Sequence, residues 1–367
     1  MSSIKFNGKF LSANPTGVHR VAEELITALH KLMEKDDQLA ARIEPEILMP
    51  RSANRTLDQT NFAHKTVGSL TWQLWEQIDL PRHTRNQLLV NLCNLAPIRH
   101  RTSISMIHDA QVFISPESYS RPFRMWYQFA LPQMGRANLK ILTVSDYSKT
   151  QLQRWNIAPS DKIEVIHNGV DHIRSMVADD SVLSRLGLSP DSFSLGLSNT
   201  QAHKNLRVAI EAHQNPALAN RKLVLFGGAK KQDFEALGLH IPDNIIFAGY
   251  VEDSELKSLM THANAMLFPS LTEGFGLPPL EAMALGTPAI CAPCGALPEV
   301  CGDSTLYVDP HDPHAWAQAI CDMADETAAV RTSRIRAAKD QASLFTWDRA
   351  ARKLADVIIE QQSASSG

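Results

Sequence analysis

The sequence predicts two α/β domains, each built around a doubly wound, Rossmann-like parallel sheet. Short apolar strands alternate with helical or polar stretches along most of the chain, a pattern typical of parallel sheets with right-handed crossovers. The alternation pauses near residues 170–180 and then starts again. The length of 367 residues also exceeds what a single hydrophobic core usually supports. We therefore expect two domains facing each other across a ligand-binding cleft.

The first predicted domain covers residues 1–174 and opens with a strand, a glycine loop and a helix. The strand runs from Ile4 to Leu11, Gly17 lies in the loop, and the apolar residues that follow have helical spacing. Later apolar strands are predicted at 88–92, 103–108, 140–145 and 162–170. The polar stretch that follows residue 170 is a plausible connection to the next domain.

The second predicted domain covers residues 175–346. Its strands are predicted at 192–198, 222–228, 244–250, 264–270, 287–293 and 305–309, with helices at 205–213 and 255–263. A last helix at 347–362 is expected to pack back on the first domain. The polar end of the chain, from Gln362, is expected to be disordered.

Composition narrows the class of protein. The net charge of −3 argues against a nucleic-acid-binding protein, and no apolar run approaches the roughly 20 residues that span a bilayer. Five cysteines in a long chain favour a reducing cytoplasm over a disulfide scaffold. Residues 1–185 carry 22 Lys and Arg against 18 Asp and Glu. This basic half could rest on an anionic membrane surface, although chance scatter explains so small an excess more simply.

The segment EGFGLPPLEAMALGTP, residues 273–288, follows a predicted strand and has the features of a ligand loop. Pro278 and Pro279 suit the first turn of a helix running from Leu280 to Leu285, which Gly286 ends. Backbone N–H groups at such a helix start can face an anion, and glycine lets a ligand approach closely. The N–H groups in question belong to Phe275, Gly276 and Leu277, and the glycines are Gly274 and Gly276.

Two carboxylates flank this loop, Glu273 on one side and Glu281 in the predicted helix. Carboxylates are good acceptors for sugar hydroxyls and poor partners for phosphate. The arrangement therefore suits a ligand with phosphates in the middle and a hydroxyl-rich ring at each end, as in a nucleotide-sugar. The simpler alternative is that Glu281 helps to cap the helix and Glu273 is solvated.

Several motifs, in order, resemble those of glycosyltransferase family 4, the retaining enzymes with GT-B architecture. The segment 273–288 resembles the family's hallmark. Further similarity lies in NGKFLSANPTGVHRVAEEL, SMIHDAQVFISPESYS, ILTVSDYSKTQL, KIEVIHNGVD, SNTQAHKNL and FAGYVEDSEL. The resemblance extends over some 300 residues, and within the family it is nearest to bacterial transferases that build surface polysaccharides, often mannosyltransferases.

The resemblance implies roles for residues of the second domain. Glu281 would bind the ribose, while Glu273 and the backbone of the loop that holds Gly274 would bind the transferred sugar and its phosphates. Lys204 would neutralise the diphosphate, where negative charge grows in the transition state. The remaining donor-binding candidates are Ser198 and Asn199 near the phosphates, and Tyr250 and Val251 at the base. Each has a simpler alternative, such as a solvated lysine or the end of a core strand.

In the first domain, the resemblance implies that Gly17 and Val18 face the donor phosphates or the acceptor. His108 ends a predicted strand and, with Asp109, would point into the cleft, where it could orient the sugar or acceptor. A turn glycine and a buried core histidine are the respective alternatives. With Glu273 and Lys204, His108 completes the set of predicted catalytic residues.

The sequence departs from the family pattern at two positions. His203 stands where an arginine often precedes the lysine, and Ser198 stands where a glycine is frequent. Either Arg20 or Arg207 could supply the missing cation. No D-x-D motif occurs, so no metal and no cofactor beyond the nucleotide-sugar is expected. The C-x-x-C formed by Cys291 and Cys294 lacks the further ligands of a zinc site.

The sequence thus indicates a retaining hexosyltransferase that moves a sugar from a GDP- or UDP-linked donor to a saccharide acceptor. By resemblance the sugar is mannose from GDP-mannose, and the acceptor is lipid-linked. The enzyme would be cytoplasmic, with peripheral membrane contact and no nucleic-acid partner. Two alternatives stay open: a nucleotide-sugar epimerase of the same architecture, and a non-catalytic nucleotide-sugar-binding partner protein.

Overall fold

The computed structural model describes residues 3–364, which form two compact units. The first unit contains the chain up to Pro116, residues 120–169 and the segment from Thr346 onward. The second contains residues 170–345 together with the short segment Glu117–Tyr119. The division after Gly169 lies a few residues before the predicted limit at residue 174. The sequence contained no signal for the grouping of residues 117–119.

A seven-stranded parallel sheet forms the first unit. The strand order is β3-β2-β1-β4-β5-β6-β7, so the order reverses between β1 and β4. The strands are β1 (Ile4–Asn7), β2 (Pro45–Met49), β3 (Ala63–Thr66), β4 (Leu88–Asn91), β5 (Ser103–Met106), β6 (Lys140–Thr143) and β7 (Ile163–Val165). This doubly wound sheet confirms the predicted fold class, with shorter strands than the sequence indicated.

Two strands of the first sheet, β2 and β3, were missed in the sequence. The β2 segment begins Pro-Glu, and only its last three residues are buried. The β3 segment, AHKT, is largely exposed and lies at the edge of the sheet. Because an edge strand needs little apolar surface, its sequence carries almost no period-2 signal.

A six-stranded parallel sheet forms the second unit, in the order β10-β9-β8-β11-β12-β13. The strands are β8 (Phe193–Leu197), β9 (Lys222–Phe226), β10 (Ile245–Gly249), β11 (Ala265–Phe268), β12 (Ala289–Cys291) and β13 (Leu306–Tyr307). All six were predicted. The order reverses between β8 and β11, which places the loops after these two strands side by side.

The helices cover the faces of the two sheets. They are α1 (Gly17–Met33), α2 (Asp37–Arg42), α3 (Trp72–Leu74), α4 (Leu80–His83), α5 (Gln111–Ile114), α6 (Arg121–Ala137), α7 (Asp146–Arg154), α8 (His172–Ser175), α9 (Ser181–Leu186), α10 (Leu206–Ala212), α11 (Lys231–Glu235), α12 (Asp253–His262), α13 (Leu277–Leu285), α14 (Leu297–Cys301), α15 (Pro313–Ala324), α16 (Ala328–Ser343) and α17 (Trp347–Ala364). A π-helical turn, Trp75–Asp79, joins α3 to α4. None of the helices in the described residues is long and apolar enough to cross a membrane.

The last helix, α17, packs against α1 within the first unit. Ala351, Leu354 and Ile358 of α17 are fully buried, as are Leu25 and Leu29 of α1. The helix reaches Ala364, so the start of the tail that was expected to be disordered is helical. Residues 365–367 of that tail lie outside the described range.

The core of the second unit lies between the sheet and a helical layer that includes α10 and α15. Trp316 of α15 is the largest side chain in this cluster and is fully buried. Its indole N–H donates to the Asp309 carbonyl over 2.9 Å, so the ring is buried without an unsatisfied donor. This packing holds the strands whose carboxyl ends carry the candidate site.

Replacing Leu354 by alanine should destabilise the first unit, because it removes a fully buried side chain from the α1–α17 contact. Comparable leucine-to-alanine changes cost about 2–5 kcal/mol. Asp356→Ala changes an exposed residue of the same helix and serves as the matched control. Thermal unfolding should show a clear loss for Leu354→Ala and almost none for the control. Equal melting temperatures would show that α17 does not stabilise this unit.

Candidate functional site

The candidate site of the second unit lies at the carboxyl ends of its parallel strands. The loops after β8 and β11 are adjacent because the strand order reverses between these strands. Open α/β sheets bind ligands at such a point. Lys204 lies in the loop after β8, and Glu273 lies in the loop after β11.

Lys204 and Glu273 form an ion pair with an Nζ–Oε1 distance of 2.8 Å. Glu273 is buried, so the structure rules out the alternative of a solvated carboxylate. The lysine Nζ also lies 5.9 Å from the centre of the Phe268 ring. An ammonium group over an aromatic face is further stabilised by the electron density of the ring. The structure therefore places two of the three predicted catalytic residues in direct contact.

The backbone of the Glu273 loop is held from two sides. The Leu271 N–H donates to the His203 carbonyl over 2.8 Å, which ties this loop to the loop of Lys204. On the other side, the Ala296 N–H donates to the Glu273 carbonyl over 3.0 Å. Gly295 has a φ of +63°, and a Cβ at this position would overlap the backbone of Glu273. A glycine is therefore required for the close approach of the two loops.

Helix α13 starts at Leu277, three residues earlier than predicted, and includes both prolines in its first turn. Gly276, with a φ of +97°, precedes the helix, and Gly286, with a φ of +100°, ends it as predicted. Glu281 is consequently the fifth helical residue and lies beyond the first turn. Its side chain does not cap the helix, so the simpler alternative for this residue is wrong as well.

Glu281 instead lies beside His172, with 3.3 Å between His172 Nε2 and Glu281 Oε1. Both side chains are largely buried, and His172 is the first residue of α8. Sequence reasoning missed His172, which directly follows the motif KIEVIHNGVD. A histidine at the boundary between the two predicted domains was the available signal. The contact fixes the direction of the Glu281 carboxylate.

His203 is buried and lies against the segment Glu117–Tyr119. Its Nδ1 is 2.9 Å from Ser118 Oγ, and its ring stacks on that of Tyr119. Burial, followed by the neighbouring Lys204 ammonium, lowers the pKa of His203 to about 4. The residue is therefore uncharged at neutral pH and does not replace an arginine as a cation. Ser118 was missed because nothing in the sequence links it to residue 203.

Ser198 and Asn199 both make hydrogen bonds within the loops. Ser198 Oγ donates to the Ala229 carbonyl over 2.7 Å, and Asn199 Oδ1 accepts from the Gln201 N–H over 2.8 Å. The Ser198 hydroxyl could reach a donor phosphate only after releasing Ala229. In this arrangement the two residues shape the loop that carries Lys204.

Tyr250 follows β10 and is 88% exposed, whereas Val251 is half-buried. The tyrosine hydroxyl lies against Gly228, where a Cβ would be only 2.5 Å from it. Gly227 and Gly228 lie in the loop after β9, which was not among the predicted donor-binding segments. The structure places this loop between those of Ser198 and Tyr250, at the same edge of the sheet.

In the first unit, Gly17 is the exposed first residue of α1, and Val18 is half-buried. Gly17 has no positive φ, and a Cβ at this position would have no other described heavy atom within 4 Å. Neither the backbone nor the packing in this part of the chain therefore requires glycine. Open space beside a helix N-terminus leaves room for a ligand to approach.

His108 is buried two residues beyond β5, near the point between β1 and β4 where the strand order of the first sheet reverses. Its Nε2 donates to the Leu92 carbonyl over 2.8 Å, and its backbone N–H donates to Asn94 Oδ1 over 2.8 Å. Burial lowers its pKa to about 4. A neutral ring with hydrogen on Nε2 keeps Nδ1 as an acceptor. His108 can therefore orient a hydroxyl group, but it is not a general acid at neutral pH.

The two arginines considered as replacement cations lie in different units. Arg207 is exposed and donates to Glu211 and to the Leu237 carbonyl. Arg20 is half-buried in α1.

Cys291 of the C-x-x-C is buried beside Cys301, and burial raises the pKa of its thiol. Because metal ligation and redox chemistry need the thiolate, this thiol is poorly suited to either.

Two family models and several known proteins match this chain. Residues 15–174 match the model "Glycosyltransferase Family 4", and residues 189–341 match "Glycosyl transferases group 1". O-antigen chain mannosyltransferase B of Escherichia coli is 29% identical over 76% of this chain and 73% of its own length. O-antigen chain mannosyltransferase RfbU of Salmonella typhimurium is 24% identical over 84% of this chain and 88% of its own.

Solved structures show the same fold. The crystal structure of Anabaena HepE with UDP-glucose covers 98% of this chain and 99% of its own, with a TM-score of 0.73 at 17% identity. The fold and the two matched models define an enzyme that transfers glycosyl groups and has the GT-B architecture. Within that class, the chain belongs to glycosyltransferase family 4, as its motifs indicated.

Replacing Gly295 by alanine should move the Glu273 loop, because the new Cβ would overlap its backbone. We expect nucleotide-sugar binding to weaken by at least tenfold, measured by calorimetry. Gly187→Ala is the matched control in the same unit. Gly187 has a similar φ of +60°, but a Cβ there would meet no described atom within 4 Å. Similar donor affinities in the two variants would show that the position of the Glu273 loop does not control binding.

Proposed function

We propose that this enzyme transfers a hexose from a nucleotide-sugar donor to a saccharide acceptor with retention of anomeric configuration. The donor would lie on the second unit, between the loops that carry Lys204, Glu273 and Tyr250. The observation that carries the proposal is the arrangement at the switch point of the sheet. There, a lysine–glutamate pair, a glycine loop and the start of α13 come together.

The charges at this edge suit the parts of such a donor. Lys204 would turn from Glu273 towards the diphosphate as the donor binds, and the start of α13 adds the positive end of its dipole. Glu273 would then be available to accept hydrogen bonds from hydroxyls of the transferred sugar. Glu281, oriented by His172, would accept those of the ribose. Tyr250 and Val251 would meet the base.

These carboxylates are poorly arranged as an acid and a nucleophile acting on one bond. Glu273 is paired with a cation, and Glu281 lies beside a histidine on another element. A glycosidase needs one protonated and one free carboxyl group on opposite sides of the bond that breaks. We propose instead that the leaving phosphate accepts the proton of the acceptor hydroxyl. The lysine would stabilise the negative charge that develops on the phosphate, and His108 would help to orient the acceptor or the sugar.

The names of the relatives support a narrower proposal. Both relatives described above are O-antigen chain mannosyltransferases, which favours mannose from GDP-mannose and a role in bacterial surface polysaccharide biosynthesis. The Anabaena structure contains UDP-glucose, so a UDP-linked donor is the second candidate. We propose a lipid-linked oligosaccharide as the acceptor, and no metal or further cofactor.

We also propose that the enzyme is cytoplasmic and rests peripherally on the inner face of the membrane. A lipid-linked acceptor would require contact of this kind. The five cysteines are free thiols, which fits a reducing compartment.

The Glu281→Ala variant tests the proposed donor site. Losing an acceptor for two ribose hydroxyls should weaken nucleotide binding by about 10- to 150-fold, since hydrogen bonds to charged groups contribute about 1.5–3 kcal/mol. Thermal shift with GDP-mannose, UDP-glucose and dTDP-glucose would first identify the donor, because bound ligand raises the melting temperature. Glu235→Ala, on an exposed part of α11, is the control. Unchanged donor affinity in Glu281→Ala would contradict the assignment.

Product analysis separates the proposed reaction from the alternatives. A transferase releases nucleoside diphosphate in proportion to the sugar moved, and NMR of the product should show the anomeric configuration of the donor. An epimerase would change the sugar without releasing the nucleotide. A binding protein would respond in thermal shift and turn over no donor with any acceptor.

A further inference from the structure

A cavity of about 940 Å³ lies in the first unit, at the edge of the sheet opposite to His108. Its walls include Arg85 and Asn86, which lie just before β4, and Arg101 and Thr102, which lie just before β5. These residues mark the amino ends of the strands. His108 follows the carboxyl end of β5, so the cavity is separate from the predicted acceptor site.

The lining of this cavity is strongly basic. It contains four arginines, and none of its residues, all in the described part of the chain, is acidic. The arginines are Arg82, Arg85, Arg99 and Arg101, and all four are exposed. Outside the lining, Asp79 Oδ1 lies 3.9 Å from Arg82 Nη1, while Asp79 Oδ2 accepts the N–H groups of Ser69 and Leu70.

Large apolar side chains lie on the elements that form this wall. Leu74 and Trp126 line the cavity, and Leu74 is 58% exposed. Trp72, two residues before Leu74, is 78% exposed. On the helix of Trp126, Met125 is 68% and Phe129 54% exposed. Exposed apolar groups beside a cluster of cations are typical of a surface that binds a membrane or another protein.

The backbone conformation at Trp72 supports a functional role for this residue over a structural one. Its φ is +56°, in the left-handed region that bulky residues rarely adopt. Its side chain adds little to the core because most of it faces solvent. Strained residues of this kind are often kept for function. The π-helical turn that follows, Trp75–Asp79, is also unusual and is frequent near functional sites.

We propose that this surface docks the enzyme on an anionic phospholipid bilayer. The four arginines would bind lipid phosphates, while Trp72 and Leu74 would enter the interfacial region. Tryptophan favours that region because its ring is apolar and its N–H is polar. Arginines near an anionic surface strengthen binding individually, and apolar groups add to their effect. This surface would make the membrane contact proposed above. The inference rests on the proposed function only for its biological purpose.

Local charge must explain such binding, because the chain as a whole has a net charge of −3. A negative protein is repelled on average by a negative membrane, so attraction requires a concentrated patch. The Debye length is about 8–10 Å at ordinary salt, and charges separated by more than this distance are largely screened. The lipids would therefore interact mainly with the charges of the patch itself. Binding should therefore weaken steeply as salt is added.

Co-sedimentation with vesicles tests the proposal on the full-length protein. We expect binding to vesicles of phosphatidylcholine with 30% phosphatidylglycerol, a proportion chosen to give a surface like that of anionic membranes. Phosphatidylcholine alone should bind at least tenfold more weakly. The double variant Arg99→Gln/Arg101→Gln should lose about 25-fold in affinity, roughly fivefold for each arginine. Arg42→Gln/Arg51→Gln removes two exposed arginines elsewhere in the same unit and should bind normally.

Trp72→Ser separates docking from folding. It should lower vesicle binding several-fold while the melting temperature stays unchanged or rises, because the strained, exposed side chain is lost. A fall in melting temperature with normal vesicle binding would give Trp72 a structural role and overturn the proposal. Equal binding to neutral and anionic vesicles, or normal binding by Arg99→Gln/Arg101→Gln, would do the same. A Trp72-dependent dimer in ultracentrifugation, without vesicle binding, would assign the surface to a second copy.

The donor site provides an independent readout. All these variants should keep the thermal shift with the nucleotide-sugar, because none of the changed residues lies in the second unit. Vesicle binding without any donor response would refute the proposed function and leave the docking surface intact. A donor response without vesicle binding would refute only the docking surface.

Discussion

The ion pair between Lys204 and Glu273 is the interaction on which the carboxyl edge of the second unit depends. Each residue lies in a loop after one of the two strands at the switch point, so the pair joins loops that are distant in sequence. Both side chains are largely buried. Removing one partner of a buried pair leaves the other charge unpaired, which typically costs about 3–5 kcal/mol. A diphosphate could replace the carboxylate as the partner of the lysine, so that neither the lysine nor the carboxylate is left buried without a polar partner.

The residues around this ion pair determine its geometry and add little to its charge. Gly295 lets the next loop press against Glu273, and the His203 carbonyl holds the Leu271 N–H. His203 itself is uncharged at neutral pH because burial and Lys204 lower its pKa to about 4. The loop therefore relies on Lys204 for positive charge, and His203 contributes packing and a contact with Ser118. The departure from the family pattern at position 203 thus changes the electrostatics of the loop.

Much of the fold was predictable from the sequence because strands buried on both faces are continuous apolar runs. Strands β2 and β3 escaped, because β3 is an exposed edge strand with little apolar signal and only the last three residues of β2 are buried. In the candidate site, the motif 273–288 predicted Glu273 and Glu281. The contacts of Glu281 with His172 and of His203 with Ser118 could not be predicted, because they join residues 85 or more positions apart. Spacing along the chain has no information about such pairs.

We propose that Lys204 holds the diphosphate of the donor at the carboxyl ends of the strands. Calorimetry should compare GDP or UDP, whichever binds, with the corresponding nucleoside, for the unchanged enzyme, Lys204→Gln and Lys204→Arg. We expect Lys204→Gln to lose most of the affinity for the diphosphate and little of that for the nucleoside. Lys204→Arg, which keeps the charge, should retain a larger part. Equal diphosphate affinity in the unchanged enzyme and Lys204→Gln would show that Lys204 does not hold the diphosphate.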